Sequence, residues 1–117
     1  MNVIKNFIDT MAQSREGSHE GEGPYDLHEI WSSSDFQSKI DFIDRVVIPP
    51  NSTVGYHKHG SNEEMYIVLE GSGEMTLNGK KTAIKKGDMI LNQPEGEHGL
   101  VNHSSGNIDL LVIQVSL

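Results

Sequence analysis

The chain has 117 residues and a formal charge of −8, enough for one domain with a real core and too few for two. That charge argues against a nucleic-acid partner, which needs clustered lysine and arginine, and the absence of cysteine excludes disulfides, thiolate metal sites and a cysteine nucleophile. No segment approaches the ~20 apolar residues of a membrane span, and the N-terminus carries one early lysine without a continuous apolar stretch, so no signal peptide is expected and the expected location is the cytoplasm.

Val3, Ile4, Phe7, Ile8 and Met11 recur at helical spacing, which predicts a short helix that would have to pack on the domain or on a partner subunit. The stretch QSREGSHEGEGP, residues 13–24, is nearly devoid of apolar side chains and reads as a mobile loop, with His19 in solvent. Residues 1–24 are therefore expected to form a helix and loop ahead of a domain spanning 25–117. From Tyr25 onward, short apolar or alternating runs alternate with turn residues: DLHEIW, KIDFIDRVVIP, STVGYHKH, EMYIVLEG, GEMTLNG, KTAIKK, DMILNQP, EHGLVN and NIDLLVIQVSL. Pro49-Pro50-Asn51 and Lys86-Gly87-Asp88 mark turns, and Asn78-Gly79 between two runs is a strong hairpin signal. About nine short strands with no helix among them indicate an all-β, antiparallel sandwich or barrel. The last run is almost continuously apolar, which predicts a strand buried on both faces.

Side chains at i and i+2 of a strand share a face, so His57 and His59 project together and Lys58 points away. Glu64 opens the next run with Tyr66 and Val68 on its face; His98 shares its face with Leu100 and Asn102. If these strands line one barrel, three imidazoles and a carboxylate converge in an apolar interior. That donor set suits a divalent transition metal such as iron, manganese, nickel, copper or zinc, and a cation would remove the cost of burying the ionised carboxylate. Glu63 competes with Glu64 but falls on the opposite face. Tyr66 is a candidate proton donor, and Asn92, Gln93 and Glu97 are weaker ligand-orienting candidates. Arg45 would recognise a carboxylate or phosphate if it faced inward, which alternation alone leaves open. His28 and His103 read as structural or surface residues, although His28 lies within reach of the barrel mouth.

The sequence resembles the cupin superfamily. Its first motif, G-x5-H-x-H-x3,4-E-x6-G, is matched by His57, His59, Glu64 and Gly71, with the leading glycine displaced to Gly55. Its second, G-x5-P-x-G-x2-H-x3-N, is matched over residues 87–102 by Gly87, His98 and Asn102, with Pro94 and Gly96 one place late. The resemblance spans about residues 40–115. It implies a small jelly-roll β-barrel holding one divalent metal through His57, His59, Glu64 and His98, with open coordination positions for a small oxygen-rich ligand such as a sugar, hydroxyacid or diketone. The family includes dioxygenases, isomerases, decarboxylases and lyases as well as non-catalytic ligand-binding or sensor modules. A homodimer is the common family assembly.

Overall fold

The computed structural model describes residues 3–117, folded as ten strands in two antiparallel sheets. The nine expected strands form β2 (Pro24–Ser32), β3 (Ile40–Ile48), β4 (Thr53–Lys58), β5 (Asn62–Glu70), β6 (Ser72–Leu77), β7 (Lys80–Lys85), β8 (Met89–Asn92), β9 (Glu97–Val101) and β10 (Ile108–Ser116). The stretch expected to be a loop contributes β1 (Gln13–Glu16), which pairs with β2, and a 3₁₀ turn at Ser18–Glu20. The larger sheet has the order β1-β2-β3-β10-β5-β8 and the smaller β4-β9-β6-β7. The fold is thus all-β and jelly-roll-like, and no helix among the described residues is long and apolar enough to cross a membrane.

The two sheets close on a core of Ile48, Val54, Val68, Met75, Leu100, Ile108 and Leu110, each at most 6% exposed. Burying side chains of this size contributes roughly 1.5–3 kcal/mol apiece. Strand alternation accounts for the choice of faces: Glu64, Tyr66 and Val68 of β5 are buried while Met65 and Ile67 are only partly covered. β10 lies at the centre of the larger sheet, between β3 and β5. Only its inner side chains, Ile108, Leu110 and Val112, are buried, whereas Leu111, Ile113 and Val115 are half-covered on the outer face. Burial on both faces is therefore not found. The continuous apolar run serves a core on one side and an incompletely covered sheet surface on the other.

Two further features differ from the sequence expectation. There is no helix over residues 3–12. Asn6 closes a local turn instead, its side-chain oxygen accepting from the Ile8 amide at 2.9 Å and its carbonyl from the Asp9 amide at 3.1 Å. Such side-chain-to-backbone bonds compete directly with helix propagation. The segment is pinned across the outer face of β2 and β3 by polar contacts: Lys5 donates to the Ile30 carbonyl and lies 4.4 Å from the Trp31 ring, and Thr10 meets His28. The second feature is a bulge. β4 and β9 pair Val54 with Leu100 and His57 with His98, so three residues of β4 span two of β9. Strict alternation would send Val54 and His57 to opposite faces; the bulge turns both inward.

Candidate metal centre

Four elements bring the site together. The bulge in β4 delivers His57, the residue just past the end of β4 is His59, β9 carries His98 directly opposite His57, and β5 supplies Glu64. The three Nε2 atoms form a near-equilateral triangle: His57 to His59 is 3.1 Å, His59 to His98 is 3.0 Å and His98 to His57 is 3.1 Å. Glu64 Oε1 lies 3.3 Å from both His59 Nε2 and His98 Nε2. His59, Glu64 and His98 are 8%, 6% and 1% exposed, so water does little to screen them.

The outer ring nitrogens decide what the inner ones carry. His57 Nδ1 donates to the Gly55 carbonyl at 2.6 Å, and His59 Nδ1 donates to the Asn62 amide oxygen at 2.9 Å. Both rings therefore hold their proton on Nδ1 and present bare Nε2 lone pairs to each other. Burial pushes the His57 imidazole down to about 4, an effect the Gly55 carbonyl partly opposes and the neighbouring imidazoles of His19, His98 and His59 reinforce. At neutral pH the ring is uncharged. Lone pairs facing one another beside a buried carboxylate oxygen that accepts no hydrogen bond are unfavourable unless a cation lies between them. Nitrogens ligating a transition metal at about 2.1 Å stand about 3.0 Å apart on an octahedral face and about 3.4 Å apart in a tetrahedron. The observed triangle fits the octahedral face, a geometry that leaves positions open. His57, His59 and His98 are thus positioned to hold a metal ion.

Beside the centre opens a cavity of about 140 Å³, lined by Glu64, Tyr66, Asp44, His19 and Tyr25 together with apolar side chains of β2, β3, β4 and β10. No lysine or arginine reaches it. Asp44, Val112, Tyr66 and Ile90 stand in one transverse row of the larger sheet, so Asp44 and Tyr66 face the cavity from two strands apart. Tyr66 is 6% exposed and its ring centre lies 5.1 Å from that of His98. Burial first, and then the Glu64 carboxylate, push its phenol well above the usual range and keep it protonated. Burial also raises the Asp44 carboxyl to about 6, with the Glu29 charge and more distantly Glu64 adding to the shift and a hydrogen bond from the Ile30 amide opposing it.

Other sequence candidates lie elsewhere. Arg45 points away from the cavity and makes a bidentate ion pair with Asp109, at 2.9 Å and 2.7 Å. Glu63 is on the outer face, and Gln93, Glu97 and His103 are exposed. His28 is buried with Nδ1 3.1 Å from both the hydroxyl and the carbonyl of Thr10, a structural role away from the barrel mouth. Asn102 ties a corner together, donating to the Ile48 and Gly106 carbonyls at 2.9 Å. Asn92 is buried opposite Glu64 in the strand register, and its amide packs under Gly96. Sequence reasoning missed Asp44 and Asn62, and it missed that His19 stacks on His57 with ring centres 3.6 Å apart and planes 9° from parallel. The bulge that aims His57 has only Gly55 as a sequence trace.

Residues 44–114 match the family described as a cupin domain. An oxalate-binding protein of Thermotoga maritima is 30% identical over 97 residues, covering 83% of this chain and 80% of its own. An uncharacterised protein of Methanocaldococcus jannaschii is 40% identical over 87 residues, covering 74% of this chain and 68% of its own. A crystal structure from Thermotoga maritima described as a "predicted oxalate decarboxylase" superposes with a TM-score of 0.95 at 25% identity, over 98% of this chain and all of that one. The polyketide cyclase RemF of Streptomyces resistomycificus shares the fold at a TM-score of 0.79 and 23% identity, over 98% of this chain and 80% of its own.

The Asn62 contact yields a test that leaves every donor of the centre in place. Asn62→Ala removes the acceptor that orients His59, and metal affinity should fall about 10- to 100-fold while the circular dichroism spectrum is unchanged. Competition with a chromogenic chelator measures it. Unaltered affinity would contradict the orienting role.

Proposed function

The chain belongs to the cupin domain family, and on that premise we propose that it captures a compact oxygen-rich acid of the oxalate class through one divalent transition metal held by His57, His59, His98 and Glu64. The observation that carries this reading is electrostatic. The cavity is walled by the acidic side chains Glu64 and Asp44 and, among the described residues, by no lysine or arginine, so an anion meets no fixed positive charge there unless the metal supplies it. The cavity volume suits a molecule of a few heavy atoms. A bound metal supplies Lewis acidity and positive charge toward the ligand oxygens. The chain's own residues do the rest: Glu64 neutralises part of the ion's charge, the apolar strands exclude water, and Tyr66, hydrogen-bonded to Glu64 beside the centre, keeps its proton at neutral pH. In this reading the protein is an enzyme of lyase, dioxygenase or isomerase type acting on such an acid, with Tyr66 as proton donor. The likeness to an oxalate-binding protein favours a second reading, in which the same site binds without turnover.

The two are separated by one set of measurements. Metal-loaded protein should bind oxalate in a calorimetric titration, and protein stripped by chelator should not; equal binding by both would contradict the metal's role. Formate, carbon dioxide or another product appearing with the metal restored supports catalysis, whereas binding without turnover across the candidate metals supports the second reading.

Asp44 sets the pH dependence. Its folded-state value lies above that of the unfolded chain, so folding favours its protonated form and the associated stability is lost as pH rises through about 6. Above that pH it also adds a negative charge facing the ligand. Oxalate affinity should therefore fall between pH 5 and pH 8 in the native protein and fall less in Asp44→Asn, which should also be the more stable of the two at pH 8. Identical pH profiles for both proteins would remove Asp44 from the site.

We also propose a cytoplasmic homodimer. The outer face of the larger sheet supports it, with Met89 and Leu91 at 65% and 48% exposed, as does the N-terminal segment, with Val3, Ile8 and Met11 at 71%, 66% and 87%. Light scattering should give twice the chain mass, and a monomer at micromolar concentration would contradict it.

A further inference from the structure

Among the described residues His19 is the one nitrogen-bearing side chain lining the cavity, and the chain holds it there at a cost. The residues between β1 and β2 form a strap with repeated left-handed backbone: Gly17 at φ 67°, His19 at φ 49°, Glu20 at φ 64° and Gly23 at φ 81°. For His19 and Glu20 that conformation is unfavourable and persists only where the surroundings enforce it. Here they do. Gly17 donates to the Gly23 carbonyl at 3.1 Å, closing the strap on itself. The Glu22 amide donates to Thr53 Oγ1 and the Thr53 amide to the Glu22 carbonyl, both at 2.8 Å, fastening it to β4. The carbonyl of His19 occupies the space that a Cβ on Gly55 would need, so strap and metal-carrying strand meet backbone to backbone.

The outcome is a ring laid flat on His57 and bordering the cavity beside Glu64 and Tyr66. It is not among the mutually close donors of the metal centre. Among the described residues neither of its ring nitrogens meets a hydrogen-bond partner, whereas each of the other histidines at the centre has its Nε2 in the triangle. An acid anchored at the metal has oxygens left over on the cavity side. The carboxylates of Asp44 and Glu64 repel those oxygens when ionised, while a neutral imidazole always has one N–H to offer them.

We propose that His19 is a ligand-contacting residue, donating a hydrogen bond from the strap to the oxygens of the small acid held at the metal centre. The proposal rests on the metal-dependent capture of small acids inferred above. It makes the strap between β1 and β2 part of the binding site and the source of selectivity among small anions that all coordinate the same ion.

The test uses the full chain loaded with manganese and titrated with oxalate, malonate, formate and azide. His19→Ala should retain the metal content and melting behaviour of the loaded native protein and lose about 10- to 100-fold in affinity for whichever of these anions binds, as expected for a hydrogen bond to a charged group. His19→Asn and His19→Gln place an amide near the positions of Nδ1 and Nε2 respectively, and asparagine tolerates the left-handed backbone; at least one of them should recover most of the affinity. Native affinity in His19→Ala would overturn the proposal alone. So would a parallel loss of metal, which would make the ring a support for His57. If the native protein binds another of the anions and not oxalate, the oxalate reading fails while the His19 comparison still decides the proposal. Binding of none of the four would overturn both.

Discussion

The constraint on which this structure turns is the meeting of three imidazole Nε2 atoms with a buried carboxylate oxygen. The Nε2 atoms of the three rings stand 3.0–3.1 Å apart, those of His57 and His59 without a proton because each ring donates from Nδ1, and Glu64 Oε1 lies 3.3 Å from the His59 and His98 rings. A cation converts that proximity into coordination. Much of the local architecture serves the convergence: the bulge in β4 turns His57 inward, the cross-strand register sets His98 opposite it, and β5 lays Glu64 across the gap between the sheets.

From the same convergence comes the chemistry of the cavity. Its wall contains two carboxylates, a protonated phenol and an imidazole on a strained strap, set among apolar side chains that keep the volume small. The cavity is lined by two acidic side chains and, among the described residues, by no lysine or arginine, so the proposed capture of an anion depends on the charge of a metal. Asp44 and Tyr66, two strands apart in one row, are both weakened as acids, which favours their protonated forms. Low dielectric and neighbouring negative charge act on each in the same direction.

The period-two pattern made much of the fold and half of the site readable. In β5, Glu64, Tyr66 and Val68 alternate with outward residues along the whole strand, so Glu64 could be told from Glu63 by parity alone. The donor residue types and their motif spacings could be read as well. The bulge could not, because inserting one residue reverses parity without changing composition, and Gly55 alone hints at it. Residues 3–12 misled for another reason: Val3, Ile4, Phe7 and Ile8 have helical spacing, but the Asn6 side chain captures the backbone amide that a helix would need. His19 was hidden in a polar, glycine-rich stretch whose conformation is set by its contacts with β4, none of which is local in sequence.

Anomalous diffraction at a transition-metal absorption edge, from crystals of protein purified without added metal, addresses the central claim most directly. A single strong peak within about 2.0–2.2 Å of the Nε2 atoms of His57, His59 and His98 and of the Glu64 carboxylate is expected. The same three rings linked to each other by shared protons or by a water molecule, with no peak between them, would contradict it.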